Sequence, residues 1–352
     1  MNVCHIVGAR PNFMKVAPVM NALKTRKHVL QTLVHTGQHY DTNMSEVFFE
    51  QLGIPAPNVN LEVGSGTHAR QTAEIMTRFE PVLLERQPDI VLVYGDVNST
   101  VATALVCAKL GVRVGHVEAG LRSFDRTMPE EINRLVTDQL ADLLFTPSAD
   151  GDVNLQKEGI PAERIFLVGN VMIYSLVKLL PVAQRQSKNG LPERYALVTV
   201  HRPANVDDSA RLKRLLQSLL EVNRDLAVIF PAHPRTRQRI SDFGLNAEQL
   251  RVLDPLSYVD FLGLQSRATV VITDSGGIQE ETTYLGVPCL TLRENTERPV
   301  TVTLGTNVLV GRDPDKLRSE LARVLAGQAK KGTIPPLWDG HAGERIAAVL
   351  AD

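Results

Sequence analysis

"ATVVITDSGGIQEETTYLG", Ala268–Gly286, reads as a buried strand that breaks on Asp-Ser-Gly-Gly and passes directly into a helix. Val270, Val271 and Ile272 between threonines suit a strand covered on both faces, and a strand followed at once by a helix is half of a βαβ unit. Ser275, Gly276 and Gly277 exceed what a tight turn requires. Together they present several backbone N–H groups at a helix start, where an anion is stabilised. Glu280 and Glu281 then stand side by side within the helix.

The same alternation extends outward from this unit. On the amino-terminal side "NVCHIVG", "VLQTLVHTG", "DIVLVYGD", "VRVGHVEAG" and "LLFTPS" are strand-like, with amphipathic segments between them. Around the opening stretch stand "YALVTV", "LAVIFPAHP", "LRVLDP", "PCLTLR" and "TNVLVG", interleaved with helices such as "SARLKRLLQSLLEV" and "DKLRSELARVLAG". Continuous apolar strands separated by helices predict parallel sheets with helices on both faces. The pattern weakens between Ser175 and Arg194, in the polar "LLPVAQRQSKNGLPER". The expected fold is therefore α/β: two Rossmann-like doubly wound parallel-sheet domains, 1–172 and 173–335, followed by a terminal segment, 336–352.

Bulk composition excludes several function classes. A chain of 352 residues is too long for one ordinary core. Lys and Arg number 38 against 39 Asp and Glu, a net charge of −1, so no nucleic-acid or anionic-membrane surface is expected. No apolar run approaches the roughly 18 residues of a membrane span, and "MNVCHIVGARPN" lacks the layout of a signal peptide. Cys4, Cys107 and Cys289 lack CxxC spacing and read as small buried hydrophobes of a reducing compartment, which places the protein in the cytoplasm.

In open α/β sheets ligands bind beyond the carboxyl ends of the strands. The chemically unusual residues follow strands: "GARPNFMK", "GDVNST", "EAGLRS", "HRPAN", "HPRT" and "DSGG". Two such domains facing each other are expected to enclose a cleft. Arg10 and Lys15 at a strand-to-helix turn suit a phosphate or are surface charge near a helix end. The spacing matches neither GxGxxG nor a Walker loop. Asp96 is either a helix-capping acid or a catalytic one. Glu118 sits where glycine leaves room for a ligand, and a site role is preferred over an ion pair with Arg122 because an unpaired buried carboxylate is costly.

In "MPEEINRLVTDQLADLLF" the residues Ile132, Leu135, Val136, Leu140 and Leu143 form one apolar helical stripe, with Glu130 nearly opposite Ile132. Glu130 then faces solvent or a cleft, and a first-turn glutamate needs no function. His201 with Arg202 closes the second domain's first strand, and His233 a later one. Neither histidine has a metal partner at ligand spacing, so no metal is expected. Each is either a site residue or a sheet-edge hydrogen-bond partner. A diphosphate held between the Arg10/Lys15 turn and the Ser275 helix start, with Glu281 accepting ribose hydroxyls and Arg298 in "NTERPVT" close by, is the economical reading.

With the ordered set "GARPNFMK", "HTGQHYDTNM", "GDVNST", "HVEAGLRS", "PEEINR", "HR", "DSGGIQEE" and "TERP", the chain resembles the non-hydrolysing UDP-N-acetylglucosamine 2-epimerases over nearly its whole length. The resemblance implies the two-domain GT-B arrangement, a homodimer, no cofactor, and a final helix in "DGHAGERIAAVL" that returns to the first domain. It implies Asp96, Glu118 and Glu130 as catalytic acids and His201 as a diphosphate contact. Arg10 and Lys15 fall on phosphate or sugar positions, Ser275, Gly276 and Gly277 on phosphate, Glu281 on ribose, Phe261 on uracil and Arg298 on sugar. Gln38, His39, Arg70 and His233 match an activator site for a second UDP-sugar. Pro203 and Ala204 depart from the family's usual Arg-Glu continuation, and Leu256 stands where some members have a uracil-binding glutamine.

The implied reaction inverts sugar C2 by anti elimination of UDP to a glycal and re-addition on the other face. Carboxylates to take a weakly acidic C2 proton and cations around the leaving diphosphate meet its physical needs. Rival readings are an epimerase of a modified UDP-sugar such as a 2,3-diacetamido uronic acid, a hydrolysing epimerase, a GT-B glycosyltransferase and a catalytically inactive UDP-sugar-binding regulator.

Overall fold

The computed structural model describes residues 1–38, 49, 52–185 and 190–351, apart from the side chain of residue 10. The chain divides into two compact units, Met1–Ser175 with Pro336–Asp352, and Leu176–Pro335. Among the described residues no helix is long and apolar enough to cross a membrane.

The first unit holds strands β1 (Asn2–Val7), β2 (Leu30–His35), β3 (Val59–Asn60), β4 (Ile90–Tyr94), β5 (Arg113–Val117), β6 (Leu143–Thr146) and β7 (Ile165–Leu167). They form one parallel sheet in the order β3-β2-β1-β4-β5-β6-β7, with Ile6 between Val34 and Val93. Every residue of β4 is buried, because helices cover both faces of a parallel sheet. The short β3 and β7 carry too little pattern to be read from sequence. The second unit holds β8 (Tyr195–Thr199), β9 (Ala227–Pro231), β10 (Arg251–Leu253), β11 (Val270–Thr273), β12 (Cys289–Thr291) and β13 (Asn307–Leu309), ordered β10-β9-β8-β11-β12-β13. Its core packs Leu212, Leu216 and Leu219 of helix Ser209–Asp225 and Leu317 and Leu321 of helix Pro314–Leu325 against Phe230, Ile272 and Leu290 of the sheet.

In both sheets the chain runs outward from the first strand to one side and then restarts on the other. The strand order therefore reverses between β1 and β4, and again between β8 and β11. At such a point the loops leaving neighbouring strands diverge and open a crevice.

The terminal segment belongs to the first unit. Trp338 is buried with its indole N–H donating to Pro147 O at 2.9 Å, and Ala342, Ile346 and Ala347 bury one face of helix Ala342–Ala351 against helix Arg10–Leu23. An indole packed in this way satisfies its single donor while burying its rings.

Helix Pro129–Leu140 corrects the apolar-stripe expectation. It ends at Leu140, and Leu143 already belongs to β6. Its buried residues are Glu131, Asn133, Arg134, Thr137 and Asp138, whereas Ile132 is 43% exposed. The polar face packs inward because Glu131, Asn133, Arg134 and Asp138 each find partners there, and a well-partnered polar network can displace an apolar stripe from the interior.

Candidate active site

At the carboxyl edge of the first sheet, Asn12 fastens the switch point. Its Oδ1 accepts from Gly8 N at 3.1 Å and Ala9 N at 3.0 Å, while its Nδ2 donates to Tyr94 O at 2.9 Å. The β1 and β4 turns are thereby held to each other. Arg10 opens the helix that follows. Lys15 is buried, and its Nζ lies 2.8 Å from Glu118 Oε2. Gly95 makes that reach possible, since a Cβ there would stand 2.6 Å from Lys15 Nζ.

Glu118 lies just beyond β5, is 4% exposed, and has φ +77°. That conformation costs a side-chain-bearing residue roughly 1–3 kcal/mol and persists only where the surroundings impose it. Here Glu118 N and Ala119 N both donate to Phe145 O at 3.0 Å. The pairing of Glu118 with Arg122 does not occur: Arg122 binds Asp138 and Glu158 instead. Behind Glu118, His116 Nδ1 meets Asp138 Oδ1 at 2.6 Å and Nε2 meets Gly95 O at 2.8 Å, tying the β4 and β5 turns together.

Asp96 does not cap helix Asn98–Leu110, whose N-cap residue is Val97. Its carboxylate pairs with Arg134 Nη1. Arg134, 2% exposed, also holds Glu131 Oε2 at 2.6 Å through Nη2. Glu131 further accepts from Ser123 N and Oγ, both at 3.0 Å, and from Phe124 N at 2.9 Å. Burial alone would raise the Glu131 carboxyl, but the Ser123 N–H, Arg134 and the Phe124 N–H outweigh it and hold the group below its ordinary range. The adjacent Glu130 is exposed. The two glutamates thus separate, Glu131 building the wall and Glu130 facing out.

Asp96 and Glu130 line one cavity of about 220 Å³ together with Gln38, His68, Gln71, Asn98 and Asn133. Gln38 Oε1 is committed to Ser99, accepting from its N at 3.0 Å and its Oγ at 2.7 Å, and so supplies the cap that helix Asn98–Leu110 lacks from its own residues. Arg70 is exposed on helix His68–Arg86. His39 lies outside the described residues.

At the carboxyl edge of the second sheet, Asp274 plays the part of Asn12. Fully buried, it accepts from His201 N at 3.1 Å, Arg202 N at 2.9 Å and Asn205 Nδ2 at 3.0 Å, joining the β8 and β11 turns. Ser275 is the N-cap of helix Gly276–Leu285 and makes no side-chain cap, leaving the first-turn N–H groups without intrahelical partners. Any side chain at position 276 would collide with the Arg298 guanidinium.

The paired glutamates again divide. Glu280 Oε1 binds Arg298 Nε at 2.8 Å, and Arg298 also binds Glu297. Burial opposes ionisation of Glu297, but Arg298, Arg293 and Arg202 hold it far below the usual carboxylate range. Glu281 Oε1 accepts from Tyr258 O–H at 2.9 Å, and burial raises its carboxyl to about 7. Phe261 stands on the same helix as Tyr258, half-buried against the core cluster of Leu197, Leu264 and Val271. His233 is not tied into the sheet edge: it caps helix Pro234–Asp242, its Nδ1 accepting from Arg235 N at 3.2 Å. Pro203 and Ala204 are the exposed start of a short helix, Pro203–Val206, whose Asn205 and Val206 are buried.

Glu281 carries a stability prediction. The unfolded chain releases this proton near pH 4.5 and the native state near 7, so unfolding free energy falls as pH rises through that interval and stays low above it. Glu281→Gln is expected to remove the decline and to melt above the wild type at pH 8 without ligand. A wild-type melting temperature flat from pH 5 to 8 would contradict it.

Asn12, Arg134, Glu131, Asp274 and Tyr258 were not selected from the sequence as site residues. Each acts by holding another residue, and a holding role has no signature in spacing. The adjacency of Asp274 to the Ser-Gly-Gly turn was the one signal within reach.

The family model described as UDP-N-acetylglucosamine 2-epimerase matches residues 21–351. A UDP-N-acetylglucosamine 2-epimerase of Methanocaldococcus jannaschii is 42% identical over 364 residues, covering 99% of each chain. A UDP-2,3-diacetamido-2,3-dideoxy-D-glucuronate 2-epimerase of Pseudomonas aeruginosa is 43% identical over 354 residues, covering 100% of this chain and 99% of the other. A crystal structure of the Methanocaldococcus jannaschii UDP-GlcNAc 2-epimerase, in complex with UDP-GlcNAc and UDP, matches with a TM-score of 0.92 and 42% identity, covering 100% of this chain and 99% of that one.

Proposed function

The chain belongs to the UDP-N-acetylglucosamine 2-epimerase family, isomerases of UDP-sugars, and from that premise we propose that it interconverts UDP-GlcNAc and UDP-ManNAc by anti elimination and re-addition of UDP. The observation that carries the assignment of roles is the shared cavity of Asp96 and Glu130 at the carboxyl edge of the first sheet. Glu118, contacted by Lys15 of helix Arg10–Leu23, completes a set of three carboxylates. They share the proton transfers at C2. The second sheet's edge retains UDP: the Ser275 helix start and His201 take the diphosphate, Glu281 the ribose and Phe261 the uracil. Arg10 and Arg298 contribute positive charge to phosphate or sugar.

Lys15 has a narrower role than a phosphate ligand. Its ammonium lies 2.8 Å from Glu118 Oε2 and sets a positive charge directly against that buried carboxylate. Elimination demands that the anomeric C–O bond break toward a stabilised diphosphate while C2–H is removed, so cations and acids act in one event. A second UDP-sugar at Gln38, His39, Arg70 and His233 remains part of this reading. Gln38 would offer such a ligand its Nε2, since Oε1 is spent on Ser99.

Incubation with UDP-GlcNAc in deuterium oxide is the test: solvent deuterium at C2 with UDP-ManNAc formed is expected. UDP-sugar that stays unlabelled and uninverted would favour a transferase or a binding protein, and free N-acetylmannosamine a hydrolysing enzyme. Because the Pseudomonas aeruginosa relative acts, by its name, on a diacetamido uronate, UDP-2,3-diacetamido-2,3-dideoxyglucuronate belongs in the same assay as the second reading. The free buried thiols Cys4, Cys107 and Cys289 support a reducing, cytoplasmic setting. A homodimer, the state the family resemblance implies, is part of the same proposal and would be tested by sedimentation.

A further inference from the structure

His201 and His233 lie at the carboxyl edge of the second sheet with ring centroids 5.5 Å apart, inclined by 34°. Two imidazoles this close do not both carry a proton's charge readily, because like charges at such a distance repel. Hydrogen bonding decides between them. His233 Nδ1 accepts from the Arg235 backbone N–H and therefore bears no hydrogen, which makes this ring neutral. Burial, then the charges of His201 and Arg235, lower its proton affinity further.

His201 is placed the opposite way. Its Nδ1 lies 3.3 Å from Asp274 Oδ1, a carboxylate that is fully buried. Among the described residues its Nε2 has no partner. The side chain is 39% exposed, so that nitrogen is open to a ligand. The backbone of the same turn has little left to offer: His201 N and Arg202 N are both spent on Asp274, and Pro203 has no N–H. A diphosphate oxygen accepts hydrogen bonds only. To meet one, Nε2 must carry a hydrogen, while Nδ1, 3.3 Å from a carboxylate oxygen, faces a group that can only accept.

We infer that Asp274 is a positioning residue that holds His201 as the doubly protonated imidazolium, so that Nε2–H donates to the departing diphosphate. Asp274 fixes the ring through the backbone of its own turn and balances the charge the ring acquires. As the anomeric C–O bond breaks, its electron pair passes to the diphosphate oxygen, and the Nε2 hydrogen bond strengthens with the growing negative charge. No covalent transfer to His201 is required. The groups that face this ring are Asp274 and His233, with Arg202 and Arg235 beyond them. Among the described residues Asp274 is the anion in contact. This inference rests on the epimerase reading for the identity of the ligand, not for the state of the ring.

The experiment uses the whole chain labelled with 15N-histidine, saturated with UDP, with Nε2 and Nδ1 shifts of His201 assigned by comparison with His201→Gln. Two protonated nitrogens at pH 7 are expected for His201, and one protonated nitrogen for His233. A neutral His201 in the UDP complex overturns the inference while leaving the epimerase reading intact; absence of UDP binding counts against that reading instead. Kinetics of Asp274→Asn supply the second arm. With folding confirmed by melting, kcat should fall ~100-fold with KM changed less than threefold, and the alkaline limb of kcat should move to lower pH because the proton is held less firmly. A folded variant whose kcat and alkaline limb match the wild type overturns it.

Discussion

Glu118→Gln is expected to bind UDP normally and to lose epimerisation, with kcat reduced at least ~10³-fold. The side chain keeps its shape, so the loss reports the missing carboxylate and not a cavity. Three observations point to a reactive group and away from a structural one. The residue sits at φ +77°, a strained conformation of the kind that clusters at active sites. Its carboxylate is buried and lies 2.8 Å from the Lys15 ammonium. It also stands on the turn next to the one bearing Asp96, linked to it through His116 and Gly95 O. Removing the carboxylate leaves the Lys15 ammonium uncompensated, so some loss of melting temperature accompanies the variant. UDP affinity measured by calorimetry should stay within about threefold, because the proposed nucleotide contacts come from the other sheet. Turnover within tenfold of wild type would remove Glu118 from the mechanism.

Arg134→Ala should be the most destabilising single change at this edge, by about 3–5 kcal/mol. The guanidinium is buried, bridges Asp96 and Glu131, and through Glu131 holds the Ser123 and Phe124 backbone. Truncation leaves two carboxylates facing each other across an emptied site, and Asp96 loses the partner that aims it at the cavity. Activity should fall with stability. Arg134→Lys separates the two effects, since a lysine keeps the charge but lacks the fork that reaches both acids at once. Its melting temperature should recover in part while kcat stays low. An Arg134→Ala protein that melts within a degree or two of wild type would show that water or a rearranged Asp96 replaces the bridge.

Much of the architecture was legible because its signals are local. Buried parallel strands announce themselves as short β-branched runs, and glycine-rich strand ends mark where each crevice opens. The two Rossmann-like sheets follow from those runs, and β3 and β7 were missed because two or three residues carry no period. Candidate acids were legible too: Asp96, Glu118 and Glu281 each follow a strand or enter a helix at its carboxyl edge.

Helix Pro129–Leu140 shows where such reading fails. Its apolar stripe predicts a buried face, yet the buried face is Glu131, Asn133, Arg134, Thr137 and Asp138. Hydrophobic periodicity assumes that the interior offers apolar contact only. Here it offers Asp96, Ser123, His116 and Arg122, and partners brought from elsewhere in the chain change which face is cheaper to bury. The same limit hid Asp274, whose importance comes from His201, Arg202 and Asn205, about seventy residues earlier.

By itself the sequence determined the class of fold, the positions of the strand ends, and a short list of acids and cations able to handle a nucleotide sugar, because these depend on residue type and near neighbours. Tertiary structure alone decided which glutamate of each pair is tied to an arginine, which cation lies against Glu118, and which histidine Asp274 contacts. The reason is physical: the state of a buried ionisable group is set by the groups within a few ångströms, and those come from distant parts of the chain.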